Sequence, residues 1–111
     1  MLAESPGLQS TAPLGYLDML ALIGRAEVVL TDSGGVQEET TYLAVPCLTL
    51  RDTTERPATV SDGTNRVIGS SPGRILSEVE RILGGDRPPA RRPPLWDGRA
   101  AERVVDVLAG F

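Results

Sequence analysis

Histidine is absent from this chain of 111 residues, and cysteine occurs only once, at Cys47. The lack of histidine removes the most common general base and metal ligand from any chemistry that the chain performs. A single cysteine excludes an intrachain disulfide and a thiolate metal cluster. Because Cys47 lies in the apolar run from Pro46 to Leu50, we expect its thiol to be buried and inert. Any chemistry must therefore use carboxylates, arginines or backbone groups, or be supplied from outside the chain.

The sequence also lacks long apolar runs and an excess of positive charge. No stretch approaches the roughly 18 apolar residues of a membrane span, and the N-terminus lacks the basic and apolar regions of a signal peptide. The formal net charge is −4, whereas a nucleic-acid-binding surface would be basic. These observations predict a cytoplasmic protein that binds neither membrane nor nucleic acid. They do not exclude phosphate binding, because backbone N–H groups hold phosphate in acidic proteins.

The composition is that of an ordinary globular domain, with 41% hydrophobic and 23% charged residues. Short apolar runs of the kind buried in parallel sheets alternate with helical patterns. The patterns predict strands at 28–30, 46–50 and 65–69, and helices at 16–25, 34–43, 72–83 and 98–108. This alternation predicts an α/β fold with parallel strands and right-handed crossovers. Residues 1–12 are expected to be irregular or to form one short strand near Leu8, and residues 86–94 an exposed linker to the last helix.

The most informative stretch runs from Val28 to Glu39, where a buried strand leads directly into a glycine-containing turn and then a helix. The first N–H groups of a helix are unpaired, and the helix dipole favours an anion there. Gly34 and Gly35 would let phosphate oxygens approach the backbone, since neither carries a Cβ. Ser33 either caps the helix, donates to a phosphate, or does both. The alternative is a purely structural turn, and the motif is neither a P-loop nor a G-x-G-x-x-G fingerprint.

Charged residues beside this turn are further candidates. Glu38 and Glu39 fall in the first turns of the helix, where a carboxylate either favours the dipole or accepts hydrogen bonds from ribose hydroxyls. Arg51, Glu55 and Arg56 follow the next strand, at the sheet edge where doubly wound folds bind ligands. An arginine there either neutralises a diphosphate or braces a carboxylate of the first loop. Taken singly, each charge is explained by surface solvation, but two loops that converge on one edge favour a binding site.

Several segments of the sequence occur together in one enzyme family: PLGYLDMLALI at 13–23, LTDSGGVQEE at 30–39, VPCLTLRDTTERP at 45–57, DGTNRVIG at 62–69 and DGRAAERVV at 97–105. In these motifs and in their order, the chain closely resembles the non-hydrolysing UDP-N-acetylglucosamine 2-epimerases. The resemblance extends from about Pro13 to Val105. It implies that residues 13–111 form the UDP-binding part of a Rossmann-like, three-layer parallel sheet, within the C-terminal domain of a GT-B type enzyme.

The resemblance also implies a UDP site of six residues: Ser33, Gly34 and Gly35 for the diphosphate, Glu39 for the ribose hydroxyls, Arg56 beside the nucleotide and Met19 near the uracil. Met19 stands where the family often has a phenylalanine, so base stacking there would differ. The family interconverts UDP-GlcNAc and UDP-ManNAc by anti elimination of UDP to 2-acetamidoglucal and syn re-addition, with no metal or redox cofactor. Its catalytic acids, and an arginine and a histidine that serve the reacting sugar and phosphate, lie upstream of the part that resembles this chain. No catalytic residue is therefore assigned, and the isolated chain is expected to be inactive.

A missing upstream segment would supply the two central strands of a 3-2-1-4-5-6 sheet. The strand at 28–30 would then have an open apolar edge. Two alternatives stay open: a non-catalytic nucleotide-sugar-binding subunit completed by another chain, and a fragment of a GT-B glycosyltransferase. The motifs favour the epimerase over the transferase. The expected ligand is UDP-GlcNAc or UDP, and the expected protein partner is a second copy or a complementing N-terminal half.

Overall fold

The structure, a computed structural model, describes residues 7–89 and 91–110. Its elements are α1 (Tyr16–Gly24), β1 (Val29–Thr31), α2 (Gly34–Tyr42), β2 (Cys47–Thr49), α3 (Pro57–Ser61), β3 (Asn65–Val67), α4 (Pro72–Leu83) and α5 (Ala100–Ala109). The predicted α/β class is confirmed, although each strand is only three residues long. Residues 7–12 are irregular, so the possible strand near Leu8 is not formed there. The interpretation of residues 1–6 lies outside the described residues.

The three strands form one parallel sheet in the order β1-β2-β3. Val29 pairs with Cys47, and Cys47 in turn pairs with Asn65, so the strands start level with one another. Thr31 and Thr49 are likewise partners at the carboxyl ends of β1 and β2. The two loops that follow these strands therefore leave the sheet side by side at one edge, as the alternating pattern predicts.

One face of the sheet carries the apolar core. Leu48 in β2, Ile68 directly after β3 and Ile82 in α4 are each at most 2% exposed and form one cluster. Partly buried apolar side chains surround this cluster: Val28, Leu50, Ile75 and Val79. Ile75, Val79 and Ile82 of α4 are spaced by four and three positions, which places them on one side of the helix. Helix α4 therefore covers this face.

The opposite face is covered by α2 and is mainly polar. Cys47 and Thr49 of β2 are fully buried there, because successive strand residues point to opposite faces. Gln37, Thr40 and Thr41 of α2 are also fully buried. The full burial of Cys47 confirms the expectation of a buried cysteine, and this burial raises the pKa of its thiol. The sheet thus lies between α2 and α4 in the predicted three-layer arrangement.

Several apolar surfaces are not covered by the described residues. Among them, β1 pairs only with β2, so its other edge is unpaired, and Leu30 in that strand is 41% exposed. This agrees with the predicted open apolar edge. Helix α5 buries none of its residues, and its Val105 and Leu108 side chains are exposed. The described residues extend over 59 × 28 × 24 Å, about twice as long as they are wide.

Residues 86–89 and 91–94 connect α4 to the last helix and are mostly exposed. Their arginines nevertheless contact the folded part. Arg92 Nε donates to the Tyr42 carbonyl at 2.9 Å, and its guanidinium lies 4.3 Å from the centre of the Tyr42 ring. Arg91 donates to the carbonyls of Gly63 and Val60 at 3.3 and 3.4 Å. The connector is therefore anchored to the end of α2 and to the loop before β3.

Candidate functional site

The candidate site begins at the carboxyl end of β1, where the chain turns into α2. Ser33 is the N-cap of α2, with an extended backbone, and its hydroxyl accepts from the Val36 N–H at 3.5 Å. The Ser33 N–H itself donates to Thr31 Oγ1 at 3.0 Å. Gly34 and Gly35 open the helix, whose leading N–H groups have no intrahelical acceptor. Because the cap bond is long and uses only the oxygen of Ser33, its O–H group keeps its capacity to donate to a ligand.

Arg56 reaches this turn from the loop that follows β2. Its Nε donates to Glu38 Oε1 of α2 in a charge-assisted bond. Its guanidinium lies over Gly34, where an added Cβ would stand 3.4 Å from Arg56 Cζ. Arg56 braces a carboxylate, which is one of the two roles expected for an arginine here, and that carboxylate is Glu38 rather than Glu39. The side chain remains 44% exposed, so its positive charge is accessible beside the helix N-terminus.

Glu39 lines a cavity of about 420 Å³, and Glu38 also reaches this cavity. The rest of the lining is apolar or aromatic and comes from α1, from the end of α2 and its C-cap, and from the segment before α5: Tyr16, Leu20, Tyr42, Leu43 and Trp96. Met19 also belongs to α1 and is 37% exposed, but it is not part of this lining. The fold therefore brings Glu39 to the cavity, while Tyr16 and Leu20, rather than Met19, face it from α1.

A second ion pair lies within the loop that carries Arg56. Arg51 Nη1 is 2.6 Å from Glu55 Oε1. The hydrogen bond from Arg51 is the main reason that the pKa of Glu55 lies below its usual value, and the charge of Arg56 lowers it a little further. Both side chains of this pair are exposed, so it adds little to stability. It does give Arg51 a carboxylate partner of its own, which leaves Glu38 to Arg56.

Beneath the site lies a group of buried polar side chains that the sequence analysis did not single out. Gln37, Thr59 and Asn65 are each at most 2% exposed. Asn65 Nδ2 donates both to Gln37 Oε1 and to Thr59 Oγ1 at 3.1 Å. The sequence of α2, GGVQEETTY, could have indicated this buried polar group, because it has no apolar stripe. A helix of this kind that packs on a sheet must bury polar groups and pair them.

The site offers donors for an anion. The Ser33 hydroxyl, the leading N–H groups of α2 and the Arg56 guanidinium suit the oxygens of a phosphate or diphosphate. Among residues 7–89 and 91–110, no three metal-ligating side chains come together as a metal site would require. In the same part of the chain, no helix combines the length and the apolar character needed to cross a bilayer. The arrangement is therefore suited to binding a phosphorylated ligand and neutralising its charge.

Comparison with known proteins gives the same family throughout. The family model described as UDP-N-acetylglucosamine 2-epimerase matches residues 1–109. The UDP-N-acetylglucosamine 2-epimerase of Methanocaldococcus jannaschii is 47% identical over 96 residues, which are 86% of this chain and 26% of that protein. The enzyme of the same name from Escherichia coli K12 is 41% identical over 100 residues, 86% of this chain and 27% of that protein.

Solved structures agree with these sequence relatives. The M. jannaschii UDP-GlcNAc 2-epimerase in complex with UDP-GlcNAc and UDP matches 99% of this chain and 30% of its own, with a TM-score of 0.81 and 42% identity. The Staphylococcus aureus MnaA structure with UDP matches 98% of this chain and 30% of its own, with a TM-score of 0.85 and 30% identity. The chain thus spans less than a third of these relatives and corresponds to part of a GT-B type domain. Since the family model matches nearly its whole length, the chain belongs to the UDP-N-acetylglucosamine 2-epimerase family.

Proposed function

We propose that this chain forms the UDP-binding part of an epimerase that interconverts UDP-GlcNAc and UDP-ManNAc. The observation that carries the proposal is the position of Arg56 over Gly34 at the N-terminus of α2. Here a cationic side chain from the loop after β2 lies beside the unpaired N–H groups at the start of α2. Ser33, Gly34 and Gly35 hold the diphosphate, and Arg56 neutralises part of its charge. Two structures that this chain resembles contain UDP, which supports the same ligand here.

Glu39 accepts hydrogen bonds from the ribose hydroxyls in this proposal. The cavity beside it supports this placement, since a nucleoside needs both a carboxylate for the sugar and apolar or aromatic space. The α1 side chains that flank the base in this proposal are Tyr16 and Leu20, which line the cavity, whereas Met19, which the resemblance implies near the uracil, lies outside the lining. The proposed contacts therefore run from the helix N-terminus, which holds the diphosphate, along α2 to the cavity.

In the proposed reaction the chain holds the leaving group. Elimination breaks the bond between C1 of the sugar and the diphosphate oxygen, and a proton leaves C2, which gives 2-acetamidoglucal and UDP. Re-addition reverses both changes after the glycal presents its other face. Negative charge on the diphosphate increases as the C1–O bond breaks, so Arg56 and the α2 N-terminus stabilise the departing UDP. The groups that move the C2 proton are supplied by the rest of the enzyme.

In this proposal an active enzyme needs further protein residues, because this chain spans only 26% to 30% of the relatives described above. We place its function in the cytoplasm, with the chain inactive by itself and completed by an N-terminal portion, in the same polypeptide or another, or by dimerisation. The unpaired edge of β1 supports this, since a parallel strand can add there. Turnover of UDP-GlcNAc by the 111-residue chain alone would contradict this part. The transferase alternative is set aside, because the matching relatives are named epimerases.

Calorimetric titration of UDP and UMP into the protein tests the nucleotide site. Replacing Ser33 with glycine keeps most of the capping free energy but removes the hydroxyl. We expect Ser33→Gly and Glu39→Gln each to weaken UDP binding by roughly tenfold or more, the loss expected for one hydrogen bond to a charged or buried partner. UMP should bind more weakly than UDP, because it lacks the second phosphate.

A matched control is Ser71→Gly, since Ser71 is the N-cap of α4 and makes no side-chain cap bond there. This variant should bind UDP like the unmodified protein. Unchanged UDP affinity in both Ser33→Gly and Glu39→Gln would rule out the assigned contacts. Equal affinity for UMP and UDP would show that the turn does not hold the second phosphate.

A further inference from the structure

The backbone of Arg56 is held by two threonine hydroxyls. Its N–H donates to Thr54 Oγ1 at 3.0 Å, and its carbonyl accepts from Thr59 Oγ1 at 2.6 Å. The two bonds lie on either side of the same Cα, so together they fix the position from which the side chain starts. An exposed loop arginine normally has considerable freedom. Here the guanidinium lies over Gly34, and the backbone that carries it is hydrogen-bonded on both sides of the Arg56 Cα.

Both hydroxyls are in turn fixed by one pair of buried amides. Thr54 Oγ1 donates to Gln37 Oε1, and Thr59 Oγ1 accepts from Asn65 Nδ2 at 3.1 Å. Asn65 Nδ2 also donates to Gln37 Oε1 at 3.1 Å, so the two amides are bonded directly to each other. We call these four side chains (Gln37, Thr54, Thr59 and Asn65) the Asn65 network. It links α2, the loop after β2, α3 and β3 to the backbone of Arg56.

Each hydroxyl in the Asn65 network donates once and accepts once, so the direction of every bond is determined. The amide of Asn65 supplies the donors, and its own Oδ1 accepts from Thr49 Oγ1 at 2.6 Å. The amide of Gln37 is oriented by the two donors to its oxygen, even though its Nε2 is buried and has no partner among the described residues. Asn65 is only 2% exposed, so water cannot readily replace a bond that is lost.

We propose that Asn65 is a positioning residue for nucleotide binding, which acts through Thr59 and Gln37 to hold Arg56 at the α2 N-terminus. This inference rests on the proposed function, in which Arg56 neutralises the diphosphate of UDP. Asn65 bonds to Gln37, Thr49 and Thr59 and acts on the ligand only through Arg56. Its contribution to affinity therefore depends on the presence of the Arg56 side chain.

The test is a double-mutant cycle on UDP affinity. Asn65→Asp keeps the size of the side chain and removes its N–H donors, while Thr59→Val removes the hydroxyl with almost no change of shape. We expect each to weaken UDP binding by roughly tenfold when Arg56 is present, and by less than about twofold when it is replaced in Arg56→Gln. Should Asn65→Asp fail to fold, Thr59→Val alone completes the cycle.

The matched control is Thr64→Val. Thr64 is also buried and its hydroxyl donates to the Val45 carbonyl at 2.7 Å, but among the described residues its side chain makes no hydrogen bond to the Asn65 network. It should change UDP affinity by less than about twofold in either background, because its loss costs stability without moving Arg56. Equal weakening by Asn65→Asp or Thr59→Val with and without Arg56 would overturn the positioning role, as would unchanged affinity in both variants.

A measurement without ligand separates this inference from the proposed function. Hydrogen exchange of the Arg56 amide reports the bond to Thr54 directly. We expect at least roughly tenfold faster exchange of this amide in Asn65→Asp, and no such change in Thr64→Val. Unchanged exchange would overturn the role of Asn65, whatever the protein binds. Failure of the unmodified protein to bind UDP would contradict the proposed function and leave the exchange result to decide on the Asn65 network.

Discussion

The guanidinium of Arg56 and the α-carbon of Gly34 face each other, with 3.4 Å between Cζ and the position that a Cβ on Gly34 would take. Residues that are far apart in sequence meet here because β1 and β2 are parallel and end level with each other. The space between the guanidinium and the helix N-terminus is lined by donors of hydrogen bonds on both sides. A side chain at residue 34 would fill it without colliding with the backbone.

The first prediction concerns Gly34→Ala. The added Cβ makes an ordinary van der Waals contact with Arg56, so we expect the free energy of unfolding to change by less than about 1 kcal/mol, helped by the better helix propensity of alanine. The methyl group does occupy the approach to the α2 N–H groups, so UDP affinity should fall by roughly tenfold or more. Calorimetry and urea unfolding measure the two effects separately.

The control for this variant is Gly73→Ala, since Gly73 occupies the first turn of α4 and a Cβ there would meet nothing within 4 Å. It should leave UDP affinity unchanged. A Gly34→Ala protein that binds UDP as tightly as the control would show that the ligand does not approach this glycine.

The second prediction concerns Gly63, which is buried beside the Asn65 network. A Cβ at this position would stand 2.5 Å from the Thr59 carbonyl oxygen and 2.6 Å from the Thr41 side chain. We expect Gly63→Ala to destabilise the fold by about 1 to 3 kcal/mol, because the neighbouring backbone must move. Gly24→Ala, where a Cβ would meet nothing within 4 Å, is the comparison in urea unfolding. Equal stability of the two variants would contradict the tight packing around residue 63.

The third prediction concerns the end of α2. Ala44 has a positive φ of 60°, and its N–H and that of Val45 donate back to the Thr41 and Thr40 carbonyls, the pattern of a Schellman cap. Glycine adopts this conformation without the steric cost that alanine bears. Ala44→Gly should therefore stabilise the protein by about 1 kcal/mol. Ala21→Gly, inside α1, should instead lower the stability measured by thermal unfolding. Destabilisation by Ala44→Gly would contradict the cap.

The fourth prediction concerns Cys47. Burial raises the pKa of its thiol in the folded protein, while hydrogen bonds with Thr40 and Thr49 partly oppose the shift. Stability from this group is therefore complete below the pKa of the unfolded thiol and decreases as the pH rises towards the folded value. Because the chain contains no lysine, few other groups titrate between about pH 8 and 10.

The measurement is urea unfolding over that pH range, with Cys47→Val as control. The unmodified protein should lose stability relative to the variant as the pH rises. A thiol reagent should modify native Cys47 only as fast as the protein opens. Rapid modification under native conditions would contradict its burial.

The strand–turn–helix around Ser33 was predictable, because its signals are local. Val28 to Leu30 is apolar, Ser33 is a favoured N-cap and two glycines follow it. The meeting of the two loops was also predictable, since parallel strands deliver the loops that follow them to one edge. Pairing of Arg56 with Glu38 rather than Glu39 was not predictable, because it depends on the rotation of α2 about its axis. That rotation is determined by which residues α2 buries.

The Asn65 network was not predicted for a related physical reason. Gln37 and Asn65 are polar, and polar residues are expected at the surface unless partners are known. Their partners come from four different elements, and no spacing in the sequence pairs residue 37 with residue 65. Helix α5 shows the converse: Val104, Val105 and Leu108 recur at helical spacing, yet the helix buries none of its side chains in the described structure.

Every contact that delivers Arg56 to the α2 N-terminus lies between Thr31 and Asn65, within the unit formed by β1, α2, β2, α3 and β3. The diphosphate-binding part of the site therefore lies in one uninterrupted length of chain, whereas the cavity beside Glu39 also uses side chains of α1 and Trp96. Recombination, gene fission or a change of linker upstream of α1 or downstream of β3 would not interrupt the unit from β1 to β3. Such a unit can pass between larger enzymes while the residues that act on the sugar change around it.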